Sequence, residues 1–124
     1  MSNPLALVVE DHADSAVIFS EAVKMAGFEV ETIREGAAAL ERLASVEPAI
    51  VVLDLNLPHV SGVEILERIR SDPRLAKTRV VVITAHAEMA SEIQDRADLV
   101  LIKPVAFSQV RKLAERMQGL VLDK

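Results

Sequence analysis

The sequence predicts an α/β fold, a doubly wound parallel sheet of five strands with helices on both faces. Two observations lead to this prediction. Five short apolar segments alternate along the chain with five segments whose apolar residues recur at helical spacing. Four of the apolar segments are nearly continuous in Val, Ile and Leu, which is typical of strands covered on both faces. Because crossovers between parallel strands are right-handed, this alternation predicts one open sheet, commonly in the order 2-1-3-4-5.

Each element follows from its own segment of the chain. The strands are predicted, in order, at residues 5–9, 28–32, 49–53, 79–83 and 99–102. Four of the helices are predicted from apolar stripes, which are Ile18, Ala22 and Met25; Leu40, Leu43 and Ala44; Val63, Leu66 and Ile69; and Phe107, Val110, Leu113, Ala114 and Met117. These helices are expected to end at Gly27, before Pro48, at residues 71–73 and near Gly119. The fourth helix in chain order is expected to be short, within residues 88–96, with Met89 and Ile93 in the core.

Composition bounds the class of protein. The 124 residues are 51% hydrophobic, which is enough to bury one core, and we expect a single domain over residues 1–124. The absence of cysteine excludes disulfide scaffolds, zinc ribbons and thiol nucleophiles. A net charge of −5, with no Trp or Tyr, argues against direct nucleic-acid binding. Neither a signal peptide nor a membrane-spanning stretch is predicted, so a cytoplasmic location without membrane contact is expected.

Polar residues follow four of the predicted strands. Glu10 and Asp11 end the first strand, Asp54 the third, Thr84 the fourth and Lys103 the fifth. In an open α/β sheet the carboxyl ends of the strands form the ligand site, and strands one and three are neighbours in the expected order. Three carboxylates at one edge repel one another, and a divalent cation offsets that repulsion. Oxygen ligands alone suit Mg²⁺, or Mn²⁺ in its place.

The same residues provide what a phosphoryl group needs. In phosphoryl transfer, negative charge spreads over three equatorial oxygens, and each requires a positive charge or a hydrogen-bond donor. The metal, Lys103, and Thr84 with nearby backbone N–H groups supply these three. Asp54 is then predicted to be the nucleophile that forms an aspartyl phosphate.

In order and spacing, these motifs resemble the receiver domain of two-component response regulators, over nearly the whole chain. They comprise Glu10-Asp11, Asp54-Leu-Asn-Leu-Pro58 followed by Gly62, Thr84-Ala85 and Lys103-Pro104. The resemblance implies a flavodoxin-like (βα)5 fold with Asp54 as phosphoacceptor. It further implies that the Mg²⁺ ligands are Glu10, Asp11, Asp54 and the backbone carbonyl of Asn56, that Thr84 and Lys103 sense the phosphate, and that the Lys103-Pro104 bond is cis.

The resemblance also assigns tuning and switch residues. Asn56 and His86, each two positions beyond a site residue, are expected to tune the lifetime of the phosphoryl group. The switch residues are expected to be Thr84, Val100 and Pro104, but Val100 occupies a place where the family usually has an aromatic residue. The segment between Thr84 and Lys103 is about one helical turn shorter than is usual. His12, His59 and His86 follow no metal-ligand spacing and are interpreted as exposed loop histidines.

Three functional hypotheses follow. The first is a phosphorylation-dependent switch that receives its phosphoryl group from a sensor histidine kinase or phosphotransfer protein and changes its affinity for a downstream protein partner, as a monomer or weak homodimer. It is not expected to be an enzyme beyond reacting with small phosphodonors and losing its own phosphoryl group. The second is an aspartyl-phosphate hydrolase, although such enzymes normally carry an acid where Asn56 stands. The third is a degenerate receiver that acts as an interaction scaffold. Whether the chain is a stand-alone regulator or the receiver of a longer regulator or hybrid kinase stays open.

Overall fold

A computed structural model describes residues 3–122 of the chain, and the side chains of residues 3–119. The described chain forms a five-stranded parallel sheet in the order 2-1-3-4-5, which confirms the predicted topology. The strands are β1 (Leu5–Val9), β2 (Glu29–Ile33), β3 (Ile50–Asp54), β4 (Arg79–Thr84) and β5 (Leu99–Ile102). The α-helices are α1 (Ala13–Met25), α2 (Gly36–Leu43), α3 (Gly62–Ser71), α4 (Ala87–Ile93) and α5 (Phe107–Leu122), and a 3-10 helix at Pro73–Leu75 follows α3.

Side chains alternate between two core layers along the central strands. On β1, Ala6 and Val8 pack with α1 and α5, whereas Leu7 and Val9 pack with α2 and α3. This division follows from strand geometry, since successive side chains point to opposite faces of a sheet. All three phenylalanines of the chain, Phe19, Phe28 and Phe107, belong to the layer of α1 and α5. The other layer, between the sheet and α2 to α4, is aliphatic in its packing.

The face that α1 buries differs from the predicted stripe. Of Ile18, Ala22 and Met25, only Ala22 is buried, and the Met25 residue is 58% exposed. The helix instead buries the set Ala16, Phe19, Ser20, Ala22 and Val23. Two sets of apolar residues share the helical period in this segment, and packing against the sheet and α5 selects the one that carries the large Phe19 ring. The prediction of a helix in this segment is therefore confirmed, but the prediction of the residues that it buries is wrong.

Two further expectations need correction. The fifth strand was predicted to be covered on both faces, but Leu99 and Ile102 are exposed. β5 has a single neighbour, β4, and the adjacent α4 is only 7 residues long, so one end of the sheet is left open. Helix α5 also continues past Gly119 to Leu122. Gly27 ends α1 because it adopts a φ of 103°, whereas Gly119 has no positive φ and remains inside its helix.

The remaining boundaries agree closely with the predicted ones. Ile93 is buried in the α4 region, and Met89 packs partly against the same core layer, as expected. None of the helices within residues 3–122 is long and apolar enough to cross a bilayer.

Candidate phosphoacceptor and metal site

The register of the central strands brings the acidic residues together. β1 and β3 are neighbours, with Val9 opposite Leu53, so Glu10 and Asp54 follow these paired positions at the same edge. One ligand atom from each of Glu10, Asp11, His12 and Asp54 lies within 4.8 Å of the others. The three carboxylates that the sequence placed at this edge are therefore close enough to share one cation.

Asp54 is almost completely buried, and both of its carboxylate oxygens accept hydrogen bonds. Oδ1 accepts from the backbone N–H of Asn56 at 2.9 Å, because the chain turns immediately after β3. Oδ2 accepts from the Lys103 ammonium, with Nζ 3.1 Å away. The carboxylate is thus fixed in orientation by one backbone donor and one charged donor.

Lys103 bridges two carboxylates from the end of β5. Its Nζ lies 3.3 Å from Glu10 Oε1 as well as 3.1 Å from Asp54 Oδ2. Burial lowers the pKa of Lys103, but the hydrogen bond and charge attraction from Asp54, together with the charge of Glu10, outweigh it and leave the pKa above its ordinary value. The Lys103-Pro104 peptide bond is cis, as the resemblance implied. Lys103 therefore carries its positive charge into the acidic edge.

Thr84 lies at the same edge of the sheet, on the opposite side of Asp54 from Glu10. It is fully buried at the end of β4, and its carbonyl accepts the Lys103 N–H at 2.8 Å. Its Oγ1 accepts a hydrogen bond from the backbone N–H of His86 at 3.1 Å. The residues expected to tune the site, Asn56 and His86, are both exposed, so their side chains border the site from the solvent side.

Glu10 has the most perturbed environment in the site. It is only 1% exposed, and burial is the main reason that its pKa is raised, with a hydrogen bond and charge repulsion from Asp54 adding to the effect. Its Oε1 and the buried Oδ1 of Asp11 lack hydrogen-bond donors among the described residues. Buried acceptor atoms without donors carry a free-energy cost that a cation removes. With Lys103 as the one ammonium among three carboxylates, the site suits a divalent ion.

His12 is the residue that sequence reasoning missed. Its side chain is 68% exposed, as an exposed histidine should be, yet its Nδ1 lies 3.4 Å from both Glu10 Oε2 and Asp11 Oδ1. It also occupies the N-cap position of α1, and Asp14 lies in the first turn of that helix. The sequence feature that could have identified this residue is its position, since His12 directly follows the acidic pair Glu10-Asp11.

The expected switch residues lie along β5 and its continuation. Val100 is partly buried in the aliphatic layer opposite Val82, and Pro104 is exposed beside Lys103. Every phenylalanine of the chain lies in the other layer, so no aromatic ring from the chain stands in for the one missing at Val100.

Gly62 permits the chain to pass close beneath the site. A Cβ added there would lie 2.5 Å from both the Asp54 carbonyl oxygen and Leu55 Cα. Since these are backbone atoms of the site strand, Gly62→Ala is expected to destabilise folding by roughly 1–3 kcal/mol. Gly119→Ala is the matched control, because a Cβ there meets no heavy atom of the described residues within 4 Å and should stabilise α5 by about 0.5–1 kcal/mol. Urea unfolding of both variants measures the difference, and equal stabilities would contradict the packing.

Comparison with known proteins agrees with this geometry. Residues 6–115 match the family model of the response regulator receiver domain. A probable methanogenesis regulatory protein, FilR2 of Methanothrix harundinacea, is 32% identical over 90% of this chain and 79% of its own length. The phosphate regulon transcriptional regulatory protein PhoB of Rhizobium meliloti is 31% identical over 97% of this chain but 56% of its own length. A CheY-like receiver domain from Methylobacillus flagellatus superposes with a TM-score of 0.81 at 26% identity, covering 94% of this chain and 99% of that one.

The chain belongs to the response regulator receiver domain family, the signalling domains of two-component systems. It spans about half the length of several curated relatives that it matches, among them PhoB and the transcriptional regulatory protein PrrA of Mycobacterium leprae. The similarity concerns the receiver domains of those longer proteins and assigns none of their other activities to this chain.

Proposed function

We propose that this chain is a phosphorylation-dependent signalling switch that accepts a phosphoryl group on Asp54. The donor is a phosphohistidine of a sensor histidine kinase or a phosphotransfer protein. The observation that carries this proposal is the Asp54 carboxylate itself, which is held between the Lys103 ammonium and the Asn56 N–H beside the donorless acceptor atoms of Glu10 and Asp11. Residues 1–124 are proposed to act as one receiver domain in the cytoplasm.

The transfer is a displacement at phosphorus. An Asp54 carboxylate oxygen forms a bond to phosphorus while the bond between phosphorus and the donor's imidazole nitrogen breaks. The electron pair leaves with that nitrogen, which takes a proton from solvent. Lys103 is already within hydrogen-bond distance of the carboxylate, so it is placed to follow the negative charge onto a phosphoryl oxygen. The Thr84 hydroxyl can turn from accepting the His86 N–H to donating to another phosphoryl oxygen.

Mg²⁺ is the proposed cofactor, with Mn²⁺ as a substitute. Its ligands are proposed to be Glu10, Asp11, Asp54 and the Asn56 carbonyl, and the donorless oxygens of the first two fit a cation. When bound, the ion supplies positive charge that screens the carboxylates from an approaching phosphoryl group. Glu10 and Asp11 hold no proton that the transfer needs, so their proposed role is to bind the ion.

Signalling requires that the phosphoryl group favours one of two conformations. Thr84 and Lys103 are proposed to be the sensing pair, with Pro104 and Val100 moving with them. Because Val100 is aliphatic, the response is proposed to be a shift of β5 and α4 without an aromatic rotation. β5 is exposed at both ends and α4 has only 7 residues, so this edge of the sheet is less covered than the central strands.

The partners are proposed to be proteins. Val17 and Ile18 are exposed on the first turns of α1, and the Val17 residue is 63% exposed. α1 begins next to the acidic edge, so these apolar residues lie where a protein phosphodonor must approach Asp54. A downstream protein is proposed to bind the region that phosphorylation alters, with the chain a monomer or weak homodimer. Asn56 and His86 border the site and are proposed to set the lifetime of the phosphoryl group.

The test is phosphoryl uptake from a small donor. Incubating the full chain with Mg²⁺ and phosphoramidate is expected to add one phosphoryl group, seen by intact-mass spectrometry and removed by hydroxylamine, which cleaves acyl phosphates. Chelating the divalent ions with EDTA is expected to prevent the uptake. An unchanged mass, together with no Mg²⁺ binding by calorimetry, would contradict the proposal and favour a scaffold that works by protein contact alone.

A further inference from the structure

His12 adds a nitrogen atom to a site otherwise made of oxygens. Its Nδ1 lies 3.4 Å from Glu10 Oε2 and 3.4 Å from Asp11 Oδ1. Two neighbouring ligand atoms that are each about 2.1 Å from one octahedral ion are about 3.0 Å apart. The imidazole nitrogen therefore lies within about 0.4 Å of the separation from both carboxylates that a shared metal ion requires.

A second observation indicates that a cation belongs at this place. Glu10 is 1% exposed, and its Oε1 has no hydrogen-bond donor among the described residues. Lys103 Nζ approaches this oxygen to 3.3 Å without forming a hydrogen bond. The other oxygen, Oε2, accepts the backbone N–H of His12 at 3.2 Å, which fixes the start of α1 against the Glu10 carboxylate. The same contact keeps the histidine next to the site.

We propose that His12 Nδ1 is a further ligand of this cation site and raises its affinity for transition-metal divalent ions relative to that of an all-oxygen Mg²⁺ site. The inference rests on the proposed function, because the ion occupies the site beside Asp54. Imidazole suits the later first-row ions, whereas Mg²⁺ and Mn²⁺ prefer oxygen ligands. A nitrogen donor thus adds affinity for Co²⁺, Ni²⁺ or Zn²⁺ that Mg²⁺ gains little from. The phosphoryl switch of this chain would then respond to which divalent ion is present.

The test compares two histidine replacements in the full chain. Calorimetry with Co²⁺ alone and with Mg²⁺ alone is run on the metal-free wild type, on His12→Asn and on His59→Asn. His59 is the matched control because it is exposed and has a φ of 67°, a conformation that Asn tolerates. We expect His12→Asn to weaken Co²⁺ binding about ten-fold or more, because the site loses its imidazole ligand. Mg²⁺ binding should change less than about two-fold, and His59→Asn should change neither.

Pulsed electron paramagnetic resonance of bound Cu²⁺, an ion that takes imidazole readily, gives a direct readout of the ligand. A nitrogen coupling from imidazole is expected in the wild type and in His59→Asn, and it should be lost in His12→Asn. If Cu²⁺ bound to the wild type shows no nitrogen coupling, or if Co²⁺ and Mg²⁺ binding weaken equally in His12→Asn, His12 merely hydrogen-bonds the carboxylates and the inference is wrong while the Mg²⁺ site stands. If neither ion binds the wild type, both this inference and the proposed metal site fail.

Discussion

Asp54→Asn is expected to abolish phosphoryl uptake from phosphoramidate while leaving the fold intact. The amide is nearly isosteric and can still accept the Asn56 N–H that Asp54 Oδ1 accepts at 2.9 Å. It lacks the charged oxygen that attacks phosphorus, so the nucleophile is lost and the orientation is kept. The replacement also removes one of the neighbouring like charges that help raise the pKa of Glu10. Stability to urea should therefore be equal to that of the wild type or higher.

The matched control for this variant is Asp95→Asn, which makes the same chemical change at an exposed carboxylate after α4. Its uptake should equal that of the wild type in an intact-mass time course. Uptake by Asp54→Asn at the wild-type rate would show that the phosphoryl group is carried elsewhere and would remove Asp54 from the mechanism.

Lys103→Met is expected to separate metal binding from phosphoryl chemistry. The ammonium lies 3.1 Å from Asp54 Oδ2 and 3.3 Å from Glu10 Oε1, so it balances part of the carboxylate charge. Without it, the carboxylates attract a cation at least as strongly, and Mg²⁺ affinity should be kept or increased. Uptake should slow by roughly 100-fold or more, because one donor to the transferring group is lost. The metal-free protein should also be less stable than the wild type, since the buried carboxylates lose their counter-charge.

Lys77→Met serves as the control, since Lys77 is exposed and lies before β4, at the opposite end of the strand from Thr84. Calorimetry with Mg²⁺ and an intact-mass time course with phosphoramidate measure the two properties in the same preparations. Lost Mg²⁺ binding in Lys103→Met would mean that the lysine organises the metal site. Unchanged uptake would mean that it makes no contact that matters in the transfer.

The topology was predictable because strand and helix patterns alternate and the common strand order of such sheets applies. Continuous Val, Ile and Leu segments are typical of covered strands, and the polar residues at their ends then meet at one edge. The proximity of Glu10, Asp54 and Lys103 could be predicted in this way, without any interatomic distance. Three features could not be predicted from the sequence: the distances, the hydrogen bond from Asn56 and the donorless oxygen of Glu10. They depend on how the loops turn after each strand.

The features that could not be predicted are those for which one sequence pattern is compatible with several structures. The α1 segment carries two apolar sets at helical spacing, and only tertiary packing chooses Phe19 over Ile18 as the buried residue. The sequence of β5 is typical of a strand covered on both faces, but the exposure of β5 depends on the length of α4 and on the position of β5 at the sheet edge. His12 has no motif of its own, and its approach to the carboxylates comes from the turn into α1. Gly119 shows that a glycine marks a helix end only when the chain needs a positive φ there.

The most direct test of the central claim is to locate the phosphoryl group on the wild-type chain. After uptake from phosphoramidate, borohydride converts an aspartyl phosphate to homoserine, and peptide mass spectrometry then identifies the residue that changed. The proposal predicts homoserine at position 54 and nowhere else. Modification of Asp11 or Glu10, or an acid-labile phosphoryl group on His12 or His86 with position 54 unchanged, would contradict it.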